Sequence, residues 1–233
     1  MVKVDMPSRK IPLNYRNITG YVQSSKSDNY TYFESSLERD ALLLLEFDFN
    51  VKQFKTQPKR FHYKHNNKNR HYTPDIWVEY KDNSCKYIEI KYRDDLKKDW
   101  EILRPKFKTA IHQVKEEINT RFKIMTEIEI RTDLLKNVTF LLPYRHKEYE
   151  DYQLKMIIKV LSRSAALNVT ELLSICTSSL EIRANFIHTL WVAVANGVVK
   201  TDLNKKLTMK SPIWVIRNEV VIDRETPVRN FNE

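Results

Sequence analysis

The sequence predicts an α/β domain over residues 1–147, followed by a smaller α+β domain over residues 148–233. The first part shows the order helix, three strands, helix and strand, which indicates a mixed sheet covered by helices. The second part shows a helix–turn–helix pattern followed by two strand candidates, which is typical of a winged helix. The charge also changes between the parts: residues 1–149 hold 29 Lys and Arg against 21 Asp and Glu, whereas residues 150–233 hold 11 against 9.

The elements of the first domain follow from local patterns. Its first 30 residues are polar and predict a loop, and FESSLERDALLLLEFD then predicts a helix capped by Ser35 or Ser36. Three strand candidates follow, separated by the short turn-forming segments HNNKN and KDNS. They cover Lys55–Tyr63, Arg70–Tyr80 and Cys85–Tyr92. Helical spacing of apolar residues predicts a helix over Lys98–Thr120, FKIMTE predicts a buried strand, and EIRTDLLKN predicts a short helix.

The composition excludes several classes of protein. With 42% hydrophobic residues, the chain can bury a core, so disorder is not expected. No apolar run approaches the roughly 18 residues of a membrane helix, and MVKVDMPSRK lacks the apolar stretch of a signal peptide. Gly20 and Gly197 are the only glycines, which argues against a glycine-rich nucleotide loop. Cys85 and Cys176 stand alone, so we expect reduced thiols in a cytoplasmic protein.

A basic run stands out in the first domain. Residues 52–72 contain seven Lys and Arg, three His and no acid, within a chain whose net charge is +10. Such a stripe suits a nucleic-acid phosphate backbone, although an ordinary solvated hairpin face is the alternative. The candidate DNA-binding residues are Lys59, Arg60, Lys64, Lys68 and Arg70.

Two acids and a lysine occur where strand packing does not require them. Asp75 follows Thr-Pro at the start of one strand, and Glu89 and Lys91 flank Ile90 in the next. Side chains two apart in a strand share a face, so the carboxylates can converge beside Lys91 if these strands pair. Two carboxylates, with the Ile90 carbonyl, offer oxygen ligands that suit Mg²⁺. This is the layout of PD-(D/E)xK nucleases, in which Lys91 would orient the attacking water or offset developing charge.

The pattern by itself has an ordinary alternative. An acid followed by Glu-x-Lys arises often by chance, and a surface strand with a solvated Glu–Lys pair would look the same. Gln57, which precedes Pro58, is a second candidate: it either positions a ligand or water, or fixes the start of a strand. The six histidines lack metal-ligand spacing and suit phosphate contacts or plain surface.

Five ordered blocks make a more specific pattern: SSLERDALLLLEFD, FKTQP, YTPDIWVEY, YIEIKY and FKIMTE. They resemble the TnsA family, the endonuclease subunits of Tn-seven-like heteromeric transposases, from about Phe33 to Leu142. The resemblance implies a restriction-endonuclease-like fold that hydrolyses DNA at transposon ends with one or two Mg²⁺ ions, for which Mn²⁺ can substitute. It implies Glu38, Asp75, Glu89 and Lys91 as catalytic residues, and Glu38, Asp75 and Glu89 as metal ligands. The Ile90 carbonyl, suggested by the strand layout, completes the predicted ligand set. For Glu38, helix capping or simple solvation is the alternative.

The resemblance also implies partners. In this family the subunit cuts the 5′ strands, a DDE-type transposase subunit cuts the 3′ strands, and an AAA+ ATPase regulator contacts the C-terminal part. We therefore expect a bacterial cytoplasmic protein that acts at the nucleoid, with no membrane partner. The second helix of the predicted helix–turn–helix, in SLEIRANFIHTLWVAVANG, is mostly apolar and carries one clear base, Arg183. We therefore expect this second domain to dock a protein rather than read DNA. Asn204, Lys205 and Lys206 would lie at the wing tip.

Two other functions stay open from the sequence. The same residues would serve a stand-alone nuclease of restriction or repair, whose gene would lack transposase and ATPase neighbours. A degenerate nuclease fold could instead act as a DNA-binding adaptor without catalysis. The presence of Asp75, Glu89 and Lys91 together argues against the adaptor.

Overall fold

The structure, a computed structural model, describes residues 18–27, 29–164 and 166–216. These residues divide into two compact units, unit 1 ending at Val138 and unit 2 beginning at Thr139. The domain boundary after residue 147 stays a prediction.

Unit 1 contains a four-stranded sheet, two hairpins and surrounding helices. Its strands are β1 (Gly20–Ser24), β2 (Asn29–Phe33), β3 (Val51–Thr56), β4 (Phe61–His65), β5 (Lys68–Tyr72), β6 (Ile76–Tyr80), β7 (Cys85–Ile90) and β8 (Thr120–Met125). Its helices are α1 (Ser36–Phe47), α2 (Arg93–Lys98), α3 (Trp100–Val114), α4 (Glu127–Ile130) and α5 (Asp133–Leu141), the last of which runs across the division between the units.

The sheet is mixed, as the sequence predicts. Its order is β3-β6-β7-β8, with β6 antiparallel to both β3 and β7, and β8 parallel to β7. Alternation along each strand supplies two apolar faces. One face packs on α1 through Ile76, Val78, Ile88 and Ile90. The other packs on α3, where Tyr87 joins a cluster with Phe107.

Helix α1 begins where the sequence predicts. The Ser35 side chain accepts a hydrogen bond from the backbone N–H of Glu38 at 3.1 Å, which satisfies one of the unpaired donors of the first turn. Leu37, Ala41 and Leu42 are buried against the sheet. The cap and the buried residues together set the rotation of α1 and therefore the direction of Glu38, which lies in its first turn.

Two of the predicted strands are each broken into two, so those predictions are wrong in length. The segment Lys55–Tyr63 leaves the main sheet at Thr56, because Gln57 adopts a left-handed φ of 47° and Pro58 has no N–H to donate. The segment Arg70–Tyr80 breaks at residues 73–75, again around a proline. The breaks release β4 and β5 as a separate antiparallel hairpin.

Three other predictions for unit 1 need correction. In the predicted N-terminal loop, β1 and β2 form an antiparallel hairpin, which Ser24 ties to α1 by donating to Glu46 at 2.6 Å; residues 1–17 lie outside the described part. The predicted helix to Thr120 ends at Val114, and Ile118 is 90% exposed, because Asn119 turns the chain into β8 with a φ of 55°. EIRTDLLKN is shared by α4 and α5.

Unit 2 consists of helices and a small sheet. Its helices are α6 (Asp151–Arg163), α7 (Val169–Cys176) and α8 (Leu180–Ala195), and its strands are β9 (Leu167–Asn168), β10 (Lys200–Thr201) and β11 (Pro212–Trp214). The strands pair antiparallel in the order β10-β11-β9. This agrees with the predicted helix–turn–helix followed by two strands, while the winged-helix assignment itself stays a prediction.

Side chains cap the helices α7 and α8 of unit 2. Ser179 caps α8, and Gly197, with a φ of 72°, follows its last turn. Helix α7 is capped by Asn168, and Glu171 completes a capping box by accepting from the Asn168 N–H at 2.9 Å.

The structure also bears on membrane-spanning helices and on the two cysteines. No helix among residues 18–216, with 28 and 165 set aside, is both long and apolar enough to cross a membrane. Cys85 and Cys176 are free thiols, as expected.

Candidate active site

A cleft of about 240 Å³ in unit 1 contains the predicted catalytic side chains. Glu38, Asp75, Glu89 and Lys91 all line it, although they come from α1, from the residue before β6 and from the end of β7. The acids and the lysine that the sequence separates by up to 53 positions therefore share one cavity.

Asp75 is held by the backbone of the neighbouring strand. Ile76 pairs with Ile88, so the antiparallel ladder between β6 and β7 ends just before Ile90. The Asp75 carboxylate takes over at this point: its Oδ2 atom accepts from the Ile90 N–H at 2.7 Å. An N–H that the ladder leaves without a strand partner thus fixes the Asp75 carboxylate, which lines the cleft.

Glu89 and Lys91 lie on the same face of the chain, as period two requires. The Lys91 Nζ atom is 3.6 Å from Glu89 Oε1, and the Tyr72 hydroxyl donates to Glu89 Oε2 at 2.6 Å. Glu89 is only 4% exposed. The pair is therefore not the solvated surface pair that was the alternative, since a buried carboxylate requires such partners.

Glu89 and Lys91 each affect the pKa of the other. Burial raises the pKa of Glu89 above its ordinary value, against the opposing effect of the Lys91 ammonium. Burial would lower the pKa of Lys91, but the carboxylates of Asp75, Glu89 and Glu38 outweigh it and leave the pKa raised. Lys91 is thus an ammonium ion at neutral pH, a hydrogen-bond donor and a positive charge rather than a base.

Glu38 points from the first turn of α1 toward the same cleft. Its Oε2 atom accepts from the Glu34 N–H at 2.9 Å and its Oε1 atom from the Ser35 hydroxyl at 3.1 Å, so the carboxylate also helps to cap the helix. Burial, followed by the negative charge of Asp75, raises the pKa of Glu38 to about 7. The capping alternative and a role in the cleft are therefore compatible.

The raised pKa of Glu38 predicts a pH-dependent stability. The folded chain keeps this proton up to about pH 7, whereas the unfolded chain releases it near 4.5, so the stabilisation is complete below pH 4.5 and is lost as pH rises through 7. The loss amounts to about 3 kcal/mol. In metal-free buffer, urea unfolding at pH 5 and pH 8 should show a smaller decrease for Glu38→Gln than for the unchanged chain. Glu101→Gln, at an exposed position, is the control, and equal decreases would contradict the assignment.

The donor atoms of the cleft determine whether a metal ion fits there. Among residues that the structure describes, no three Asp, Glu, His or Cys side chains form a group that could hold a metal ion by themselves. Asp75 and Glu89 still line one cleft, and Mg²⁺ is commonly held by one or two carboxylates, with waters and substrate phosphates completing its shell. The two carboxylates therefore fit such an ion. The ligand roles of Glu38 and of the Ile90 carbonyl stay predictions.

Gln57 supports the site from outside the cleft. Its side-chain amide donates to Glu34 Oε1 at 2.8 Å, and its backbone N–H donates to the carbonyl of Asp75 at 2.8 Å. These bonds favour the alternative in which Gln57 fixes the chain at a strand end.

The candidate DNA-binding residues separate into three groups. Lys64, Lys68 and Arg70 are exposed on the β4–β5 hairpin, whose turn is formed by Asn66 and Asn67 in left-handed conformations. Arg60 lines the cleft. Lys59 forms an ion pair with Glu117 and lies over the rings of Phe61 and Tyr87.

Sequence reasoning did not single out Tyr72 or Lys106 as residues of the cleft. His71, which also lines it, was among the histidines expected to be phosphate contacts or plain surface. Tyr72 ends the basic run, where it resembles an ordinary strand residue. Lys106 lies one helical turn from Leu103 on α3, and Leu103 also lines the cleft. That spacing places Lys106 near the face of α3 that packs on the sheet, which is the one signal that could have singled it out.

The comparison with known proteins agrees with this geometry. No curated protein matches the chain. Residues 48–127 match the family model described as the TnsA-like endonuclease N-terminal domain. The matched segment contains Asp75, Glu89 and Lys91 and begins after Glu38. Residues 48–127 thus resemble a TnsA-like endonuclease N-terminal domain, which supports the family predicted from the sequence.

Proposed function

We propose that this chain is a metal-dependent DNA endonuclease that cleaves the 5′ strands at transposon ends as a subunit of a multi-protein cut-and-paste transposase. The observation that carries the proposal is the convergence of Asp75, Glu89 and Lys91 in one cleft of a TnsA-like endonuclease domain. Phosphodiester hydrolysis requires an activated water and positive charge near the scissile phosphate, and this cleft offers residues suited to both.

Each residue contributes a distinct part of the chemistry. Asp75 and Glu89 supply carboxylate oxygens for a Mg²⁺ or Mn²⁺ ion. Such an ion, when bound, lowers the pKa of a water ligand and polarises the phosphoryl oxygens. Lys91 holds its ammonium group beside Glu89, where it can donate to a phosphate oxygen or to the attacking water. Arg60, His71 and Lys106 line the cleft and would bind the DNA backbone next to the acids.

The proposal is tested by a cleavage assay on transposon-end DNA, with and without the products of the neighbouring genes. We expect 5′-strand cleavage in Mg²⁺ or Mn²⁺ that chelation with EDTA abolishes. Cleavage of unrelated DNA as fast as of end DNA, without any partner, would instead support a stand-alone nuclease. Binding without cleavage under every condition would support the inactive adaptor.

We further propose two protein partners: a DDE-type transposase subunit that cuts the other strand, and an AAA+ ATPase regulator bound by the C-terminal part. The near balance of charge in residues 150–233, 11 basic against 9 acidic residues, suits a protein partner better than a DNA backbone.

DNA binding is expected to depend on the β4–β5 hairpin and to weaken with salt. Lys64, Lys68 and Arg70 are exposed there, and each phosphate contact contributes about −0.9 to the slope of log affinity against log salt. Changing all three to Ala should therefore reduce the magnitude of the slope by up to about 2.7. Fluorescence anisotropy with end DNA in Ca²⁺, between 50 and 200 mM salt, measures it. The control changes three exposed lysines of unit 2, namely Lys155, Lys206 and Lys210. An unchanged slope in the hairpin variant would contradict the assignment.

A further inference from the structure

Tyr72 is buried beside the proposed catalytic cleft and contacts its most deeply buried acid. It is the last residue of β5, where it pairs with Phe61 at the base of the basic hairpin. Its hydroxyl lies 2.6 Å from Glu89 Oε2. The tyrosine is 7% exposed and the glutamate 4% exposed, so water cannot readily replace either partner.

The ring of Tyr72 is held by aromatic neighbours. Its centroid lies 6.3 Å from that of Phe61, 6.1 Å from Phe107 and 6.4 Å from Phe122, with edge-to-face or tilted geometry. A tyrosine side chain has only two soft torsions, and packing of this kind leaves its hydroxyl little freedom. Glu89 has three side-chain torsions, so it is more flexible by itself. The hydrogen bond from the fixed Tyr72 hydroxyl restricts the orientation of its carboxylate.

The direction of the bond follows from chemistry. An ionised carboxylate can only accept, so the Tyr72 hydroxyl donates. With Oε2 engaged by Tyr72, the Lys91 ammonium lies near Oε1 at 3.6 Å. The two oxygens of Glu89 therefore have different partners, the Tyr72 hydroxyl at Oε2 and the Lys91 ammonium at Oε1.

We propose that Tyr72 is a positioning residue, which holds the Glu89 carboxylate in the orientation that binds the divalent ion by donating to Oε2. This inference rests on the proposed function, since it assigns a role toward the same ion. It differs from a merely structural role in one respect: loss of the hydroxyl should weaken ion binding more than it weakens folding. Outer hydrogen-bond partners of metal ligands commonly contribute about 10-fold to 100-fold in affinity or activity.

The test uses Tyr72→Phe in the full chain, which removes the hydroxyl and keeps the ring. Tyr63→Phe is the matched control, since Tyr63 packs against the same aromatic cluster but does not line the cleft. Thermal unfolding is followed while Mn²⁺ or Mg²⁺ is added, without DNA. We expect the concentration for the half-maximal shift in Tm to rise about tenfold in Tyr72→Phe and to stay unchanged in Tyr63→Phe.

A second pair of variants shows whether Tyr72 acts through Glu89. In Glu89→Gln the carboxylate is gone, so adding Tyr72→Phe should raise the midpoint by far less than tenfold. In a cleavage assay, excess metal should restore the rate of Tyr72→Phe but not that of Lys91→Ala.

The outcomes separate this inference from the proposed function. If the unchanged chain cleaves end DNA and Tyr72→Phe has an equal metal midpoint, the inference is overturned and the function stands. If no cleavage occurs but the midpoint shifts as expected, the function fails and the role of Tyr72 toward the ion stands. An equal shift in Tyr63→Phe, or no metal effect on the unchanged chain, also overturns the inference.

Discussion

Replacing Asp75 by Asn, or Lys91 by Ala, is expected to reduce the rate of strand cleavage by about 1000-fold, because each change removes a charge at the reacting phosphate. In the unchanged chain the Ile90 N–H donates to Asp75 Oδ2 at 2.7 Å. Asn is chosen at position 75 because its side-chain oxygen can still accept this hydrogen bond. The variant thus loses the negative charge that a metal ion requires but keeps the link between β6 and β7. Cleavage is measured on end DNA with the partner proteins present.

Folding and DNA binding are the readouts that should not change. Both variants should unfold cooperatively and bind end DNA in Ca²⁺ with close to the unchanged affinity. The matched controls are Asp94→Asn and Lys97→Ala, since these residues form an exposed ion pair on α2 with a distance of 3.7 Å. The same chemical changes should have little effect there, because exposed pairs contribute little. Unchanged cleavage rates in Asp75→Asn or Lys91→Ala would refute their catalytic assignment.

The motif could be placed from the sequence because its geometry is local. Period-two alternation put Glu89 and Lys91 on one face, and the KDNS turn predicted that the strand carrying Asp75 would pair with theirs; the structure has both features. Ser35 was predictable for the same reason, since a cap depends on a donor three residues away. Spacing along the sequence does not, however, predict which distant residues these side chains contact across the sheet.

The contribution of Tyr72 could not be predicted in this way. Its partner Glu89 is 17 positions away, and their contact depends on a strand break that sequence periodicity did not reveal. The break after Thr56 rests on the left-handed Gln57, a conformation that side chains other than Gly, Asn and Asp seldom adopt. The long β-strand predictions across Thr-Gln-Pro and Thr-Pro-Asp therefore did not reveal that the β4–β5 hairpin separates from the main sheet, with Tyr72 in the cleft.

The apolar residues of α8, which the sequence predicts to take part in protein docking, are for the most part buried within unit 2. Phe186, Leu190 and Trp191 are buried in the core of unit 2, so they are not free to contact a partner. The exposed apolar residues of this helix lie at its start, where Leu180 is 77% exposed and Ile182 is 44% exposed. If this unit docks a protein, the contact should therefore involve the beginning of α8 and the loop after β10, rather than the helix as a whole.

Ending the chain at Tyr149 is expected to abolish binding of the ATPase regulator and transposition, while DNA binding persists. The shortened chain keeps every residue of unit 1, including its apolar clusters and the cleft. Binding of the purified regulator is measured by calorimetry, and end-DNA binding by anisotropy. A shortened chain that still bound the regulator would contradict the docking role, as would tight and specific binding of end DNA by residues 150–233 alone.

Point variants test the same role in the full chain. Leu180→Asp combined with Lys206→Glu should weaken regulator binding by about 30-fold, the loss expected when an interface loses about 2 kcal/mol. The control is Ile118→Asp, which repeats the replacement of an exposed apolar side chain by aspartate at a position of unit 1 that is 90% exposed. Cleavage of end DNA without the regulator should be equal in all three proteins, since neither change lies in the cleft. Because only the regulator-dependent reaction should suffer, an equal loss in both assays would point to misfolding of unit 2 and not to a lost interface.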